Sequence, residues 1–129
     1  MKLVTLTALI TLSASTLFAH SSAESSLPAN GAVLKEAPQE LMLQLSDKVR
    51  MTRVEMTYHQ GMMHEGGMMG QMHEGQMMMN LEVGDQTDFR SEFHIPMQMM
   101  GHGTYEVEWR GLGIDGHPVQ GMFMFEVTE

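Results

Sequence analysis

The stretch GTYEVEWR, residues 103–110, alternates apolar and polar side chains with a period of two. Tyr105, Val107 and Trp109 fall on one side of an extended chain, and the charged residues between them fall on the other. This alternation predicts a β-strand with one face in a core and the other face in water.

The same alternation recurs on both sides of this stretch. The residues predicted to face inward are Leu41, Leu43 and Leu45, then Val54, Met56 and Tyr58, then Phe89, Ser91 and Phe93, and finally Phe123, Phe125 and Val127. Turn sequences at 28–31, 83–85 and 115–118 separate these segments. No helix is predicted beyond the N-terminal segment. The pattern therefore indicates an all-β fold, an antiparallel sandwich or barrel.

The first 19 residues have the composition of an export signal. Lys2 precedes an apolar run that is too short to span a bilayer, and small residues lead to Ala19. We predict cleavage after Ala19, which leaves a mature domain of residues 20–129 that begins with His20. Ser13-Ala14-Ser15 offers a competing cleavage site. No other stretch is apolar enough to span a membrane, so we expect the mature domain to be soluble.

The mature domain is acidic and has no cysteine. Removal of residues 1–19 takes away only Lys2 among the charged residues, so the net charge changes from −9 to −10. Such a charge argues against nucleic acid and anionic lipid as partners. Without thiolates, any site for a soft metal must use thioether and imidazole groups.

Residues 61–80 contain eight methionines, two histidines and five glycines. The glycines disfavour a packed helix, and a flexible loop lets several side chains converge on one ion. Thioethers are soft ligands that suit Cu(I), with imidazole as a helper. A Met-His-Glu-Gly unit also occurs twice in the loop, nine residues apart.

We predict that this Met/His-rich loop binds Cu(I), although its sequence leaves the exact ligands and the number of ions open. The candidate ligands are Met62, Met63, His64, Met68, Met69, Met72, His73, Met77 and Met78. The segment MQMMGH at 97–102 is a second candidate contributor. A plastic, methionine-lined surface that binds another protein is the alternative interpretation.

A second group of donors surrounds the turn DGHP at 115–118. Asp115 and His117 alone are weak evidence for a metal site, because such a turn usually has only a structural role. If His20 is the mature N-terminus, its α-amine and Nδ1 can chelate one ion, and His117 adds a third nitrogen. Nitrogen donors with an oxygen from Asp115 suit Cu(II).

Several further segments occur in an ordered set. They are the Ala19-His20 junction, SLPANGAVL at 26–34, AP at 37–38, LSD at 45–47, GTYEVEWR at 103–110, DGHPVQG at 115–121 and FMFEV at 123–127. Over nearly its whole length the mature chain thereby resembles the CopC/PcoC-type periplasmic copper-resistance proteins. The resemblance implies an immunoglobulin- or cupredoxin-like Greek-key β-sandwich or barrel of about seven strands, with copper sites at opposite ends.

The resemblance also implies ligands and a location. It assigns His20, Asp115 and His117 to a Cu(II) site, with Asp47 as a second-tier group, and it places Cu(I) in the Met-rich loop at 61–80. It implies a periplasmic protein. The sequence departs from the family pattern in the longer, duplicated loop and in Ser21, which follows His20 where Ala or Pro is usual.

These observations predict a non-enzymatic copper carrier or buffer that acts in copper resistance or homeostasis. An inner-membrane copper transporter or a periplasmic copper oxidase is the expected recipient. One alternative is a histidine-brace copper redox enzyme, which the absence of a broad aromatic platform disfavours. Another is a scavenger of Ag(I) or mixed soft metals, which the thioethers permit.

Overall fold

The computed structural model describes residues 23–60, 75–98 and 100–129. Within these ranges the regular structure is seven β-strands, and no residue is helical. The strands are β1 (Ala23–Leu27), β2 (Ala32–Leu34), β3 (Glu40–Gln60), β4 (Gln76–Leu81), β5 (Arg90–Pro96), β6 (Gly103–Gly113) and β7 (Pro118–Val127). The predicted all-β fold of about seven strands is confirmed. No helix among the described residues has the length and apolar character needed to cross a membrane.

Strand β3 is 21 residues long and pairs with four other strands. Its first part pairs with β1 on one side and β5 on the other. Its second part pairs with β4 and β6. The register with β5 shifts between Gln44 and Val49, where three successive side chains are exposed. Because the ladder is interrupted there, one strand can serve two parts of a curled sheet.

The remaining strands extend the sheet from β6. The strand order is β1-β3-β6-β7-β2, in which β7 is antiparallel to β6 and β2 is parallel to β7. The inward-facing residues predicted in four of the five alternating segments are all buried. In the fifth segment, Phe93 is buried, whereas Phe89 is 39% exposed and precedes β5. Phe89 instead lies beneath the guanidinium of Arg50, 5.8 Å from its ring centre.

The pairing of β3 with β6 defines two ends of the molecule. At one end Val49 pairs with Gly113, next to the β6–β7 turn, and we call this the turn end. At the other end Gln60 pairs with Gly103, and its N–H donates a hydrogen bond to the carbonyl oxygen of Gly75. We call this the loop end, because residues 61–74 connect β3 to β4 there. The 11 residues of β6 separate the two ends by roughly 30 Å.

A substitution at Gly121 tests the packing between β6 and β7. A Cβ added at Gly121 lies 2.6–2.7 Å from ring atoms of the fully buried Trp109, so Gly121→Ala forces the indole to move. We expect a loss of about 1–3 kcal/mol in the free energy of unfolding, measured with urea. Since Trp109 is the sole tryptophan, its near-UV circular dichroism should change as well. Gln120→Ala, at the neighbouring exposed position, should change neither quantity. Unchanged stability in Gly121→Ala contradicts this packing.

Candidate metal centre

The β6–β7 turn holds Asp115 and His117 in direct contact. The N–H of Gly113 donates to the carbonyl oxygen of His117 at 2.9 Å, which closes the turn. The backbone N–H of His117 donates to Asp115 Oδ1 at 3.1 Å. In addition, His117 Nδ1 lies 2.8 Å from Asp115 Oδ2. Both oxygens of the Asp115 carboxylate therefore contact His117, one at the backbone N–H and the other at the ring nitrogen Nδ1.

The contact between Asp115 and His117 determines which donor atoms are available to a metal ion. The side chains of Asp115 and His117 are 65% and 72% exposed. The hydrogen bond to the His117 ring, followed by the bond from its backbone N–H, lowers the pKa of Asp115 below its usual value. When Nδ1 donates to the carboxylate, Nε2 carries the lone pair, as in metal sites where a carboxylate orients a histidine. The turn thus presents an imidazole nitrogen and an anionic oxygen at the surface.

Asp47 lies at the same end of the molecule but not in the same cluster. It occupies the interrupted part of the β3 ladder, is exposed, and accepts a 3.4 Å hydrogen bond from the Ser46 hydroxyl. Val49, two residues later, pairs with Gly113, two residues before Asp115. Among the described residues, however, no group of three or more His, Cys, Asp or Glu is placed to hold a metal ion. The structure brings Asp115 and His117 together and leaves Asp47 apart from them.

His20 lies outside the described residues, three positions before Ala23. Ala23 pairs with Leu45 at the start of β1, and β1 is antiparallel to β3. The described chain therefore begins at the turn end, beside the interrupted ladder that holds Asp47. The direction of β1 therefore agrees with the prediction that His20 contributes to a metal site at the turn end.

Two of the nine predicted Cu(I) ligands are described. Met62, Met63, His64, Met68, Met69, Met72 and His73 lie outside the described residues. Met77 and Met78 belong to β4, so the last residues of the segment 61–80 form a strand rather than loop. They pair with Tyr58 and Thr57 and are 52% and 53% exposed. Because neighbouring strand residues face opposite sides of a sheet, β4 presents a thioether on each side.

His94 forms a third polar cluster, which the sequence reasoning did not identify as a site. Its Nδ1 lies 2.8 Å from Glu40 Oε1, and its Nε2 lies 2.7 Å from Glu92 Oε1. The hydrogen bond to Glu40, and next the bond to Glu92, raise the pKa of His94. Glu92 and His94 face the same side of β5 by alternation, but Glu40 is distant in sequence, so only the pairing of β3 with β5 reveals the cluster.

Comparison with known proteins gives consistent matches across the chain. Residues 23–128 match the CopC domain family. The copper resistance protein C of Escherichia coli is 30% identical over 112 residues, which cover 84% of this chain and 82% of that protein. The crystal structure of selenomethionine PcoC, a copper resistance protein from Escherichia coli, superposes with a TM-score of 0.60 at 25% identity, covering 83% of this chain and 99% of that one.

A further structure shares the fold. CopC from Methylosinus trichosporium OB3b superposes with a TM-score of 0.57 over 84% of this chain and 93% of that one. At 20% identity this likeness concerns the fold alone. Both solved structures thus share the overall fold of this chain.

The His94 cluster predicts a specific pH dependence. Because the folded-state pKa of His94 is raised, its bonds to Glu40 and Glu92 stabilise the fold below the unfolded value of about 6.5, and this contribution is lost as the pH rises through the folded-state pKa. An NMR titration should show a lower His94 pKa in Glu40→Gln than in the wild type. Glu36→Gln, a nearby exposed substitution, serves as the control. Equal His94 pKa values in Glu40→Gln and the wild type contradict the assignment.

Proposed function

The chain belongs to the CopC domain family, and on this premise we propose that it is a periplasmic copper-binding protein that carries or buffers copper in copper resistance. The observation that carries the proposal is the Asp115–His117 pair, in which a carboxylate orients an exposed imidazole at the surface. Copper is its cargo, and the protein is not an enzyme. The names of its relatives, which are copper resistance proteins, support this assignment.

The Cu(II) site of this proposal lies at the turn end. His117 supplies Nε2, Asp115 supplies an oxygen, and His20 supplies its α-amine and Nδ1 after cleavage of residues 1–19. Two donor residues alone make an incomplete site, and among the described residues no third His, Cys, Asp or Glu is placed to complete it. The three-residue step from His20 to Ala23 spans at most about 10 Å, which is sufficient for an N-terminal ligand to approach from the start of β1. Asp47 acts from outside the ligand set.

The Cu(I) site of this proposal lies at the loop end. The ligands come from the Met/His-rich segment 61–80, of which Met77 and Met78 are exposed on β4. Thioethers are neutral and soft, so they retain Cu(I) and compete poorly for harder divalent ions. Because roughly 30 Å of β6 separates the two ends, each site can be filled independently of the other.

Exposure of the ligands suits transfer of the metal to another protein. The Asp115 and His117 side chains are largely accessible on their turn, so an acceptor can approach the ion without opening the core. We propose an inner-membrane copper transporter or a periplasmic copper oxidase as the acceptor. A carboxylate beside the imidazole also helps to fill the coordination position that oxygen chemistry requires, which favours carriage of copper over redox catalysis.

Substitution of His117 tests the Cu(II) site. His117→Ala removes a metal ligand. Loss of a residue that only hydrogen-bonds to a ligand typically lowers metal affinity about 10–100-fold, so we expect loss of the ligand itself to lower Cu(II) affinity by about 100-fold or more. Cu(I) affinity should remain unchanged. Affinities are measured by competition with chromophoric chelators for each oxidation state. His94→Ala, which removes another exposed histidine, should leave both affinities unchanged. Wild-type Cu(II) affinity in His117→Ala contradicts the site.

The role of the N-terminus has a separate test. Intact mass of the exported protein should correspond to a chain that begins at His20. A variant with two glycines inserted before His20 at the mature terminus removes the amine from the chelate, and its Cu(II) affinity should fall while its Cu(I) affinity persists. Two glycines added after Glu129 provide the matched control. A mature protein that begins elsewhere, or an extended variant with full Cu(II) affinity, contradicts the role of the amine.

A further inference from the structure

The connection between β5 and β6, described at residues 97–98 and 100–102, lies beside Gln60 and Gly75, the two residues that flank segment 61–74 and form its base. Its first residue, Met97, is buried, and the Met97 N–H donates to the carbonyl oxygen of Gln39 at 2.9 Å. The connection is followed by Gly103, the first residue of β6, which pairs with Gln60, and the Gln60 N–H donates to the carbonyl oxygen of Gly75. The connection and the two chain ends that lead into residues 61–74 are therefore adjacent.

Two tyrosines hold the end of this connection in place. The Tyr58 hydroxyl donates to the carbonyl oxygen of His102 at 2.8 Å, and the Tyr105 hydroxyl donates to the carbonyl oxygen of Gly101 at 2.6 Å. The two rings pack against each other, with centres 5.0 Å apart. Two successive carbonyl groups are thus bound from the core, whereas the His102 side chain is exposed.

Glycines on both sides of His102 are required by this arrangement. Gly101 and Gly103 have φ angles of +122° and +155°, which side-chain-bearing residues rarely adopt. A Cβ at Gly103 also collides with the carbonyl oxygen of His59. The backbone therefore passes close to the end of β3 and presents one imidazole between two glycines.

The bonding of the four described histidines separates them into two classes. His94 and His117 are hydrogen-bonded to carboxylates. For the side chains of His59 and His102 the structure gives no hydrogen bond or ion pair with the described residues. Both of these lie at the loop end, where His59 pairs with Thr104, two residues after His102. Ring nitrogens without a carboxylate partner thus lie where the thioethers of β4 are exposed.

The placement of His59 and His102 allows them to share an ion. His102 immediately precedes β6, and the hydroxyl of Tyr58, the residue before His59, holds the His102 carbonyl oxygen. Two imidazole nitrogens that bind one ion at about 2.0–2.1 Å each need to approach within about 4 Å of one another. Because His102 is exposed and lies outside the β6 ladder, its ring can turn toward His59 without a change in the strand pairing.

We propose that His59 and His102 form a nitrogen pair that binds Cu(I) at the loop end, so that the soft-metal site is partly built on the β-scaffold. The proposal deepens, and rests on, the Cu(I) half of the proposed function. Met78 pairs with Thr57, which by alternation faces the same side of β3 as His59, so its exposed thioether is a described sulfur donor on that side. Neutral imidazole and thioether groups together match a soft, monovalent ion.

The test compares His59→Ala, His102→Ala and the double variant with the wild type. Each single variant should lose about tenfold or more in Cu(I) affinity, measured anaerobically against a chromophoric Cu(I) chelator. The double variant should lose less than the product of the two single effects, because residues that bind one ion are coupled. X-ray absorption of the Cu(I)-loaded protein should show fewer nitrogen neighbours in the variants, with sulfur neighbours retained.

His94→Ala is the matched control, since it removes an exposed histidine that carboxylates already hold. It should retain wild-type Cu(I) affinity, and all variants should retain wild-type Cu(II) affinity. The His59 and His102 variants should also retain wild-type urea stability. Wild-type Cu(I) affinity and nitrogen count in His102→Ala overturn the nitrogen pair and leave the proposed function intact. A wild-type protein that binds no Cu(I) overturns both.

Discussion

The antiparallel pairing of β3 with β6 is the constraint on which the other features depend. It runs from Val49 opposite Gly113 to Gln60 opposite Gly103 and carries the buried side chains of the core between its ends. The same ladder places the Asp115–His117 turn beyond one end and the base of the Met/His-rich segment beyond the other. A change in its register by one residue turns Tyr105, Val107 and Trp109 outward, so core and binding groups are specified together.

The histidines at the turn end and the loop end are positioned by different interactions. At the turn end a carboxylate contacts the ring of His117 at Nδ1, which fixes the orientation of the ring and places a negative charge beside it. At the loop end His102 is positioned through its backbone, by the tyrosine hydroxyls and the flanking glycines, and its ring has no hydrogen bond or ion pair with an acidic side chain among the described residues. An anionic donor favours the divalent ion and neutral donors favour the monovalent one, so the local bonding matches the proposed division between Cu(II) and Cu(I).

Local patterns in the sequence were sufficient to predict the two parts of β3, the strands β5, β6 and β7, and most of the core, because side-chain alternation depends only on the strand itself. The double pairing of β3 was not predictable in this way, since its exposed residues 46–48 look like the boundary between two strands. The strand β4 was not predicted, because its methionines continue the Met- and Gly-rich composition of the preceding residues and were therefore assigned to the same loop. Asp115 and His117 were predicted from a short motif, whereas the contacts of His94 and the placement of His102 depend on pairings between distant segments.

The hydrogen bond between Gln60 and Gly75, which closes the base of the Met/His-rich segment, has a consequence for the evolution of this sequence. Gln60 and Gly75 are hydrogen-bonded to one another, so the strands on either side keep their register whatever length of chain joins them. Doubling the length of such a connection costs only about 0.6 kcal/mol in closure entropy. Duplication of a Met-His-Glu-Gly unit, as seen at 63–75, therefore adds sulfur and nitrogen groups with almost no penalty to folding. The number of thioether and imidazole groups can therefore increase by copying of short units while the strand framework stays unchanged.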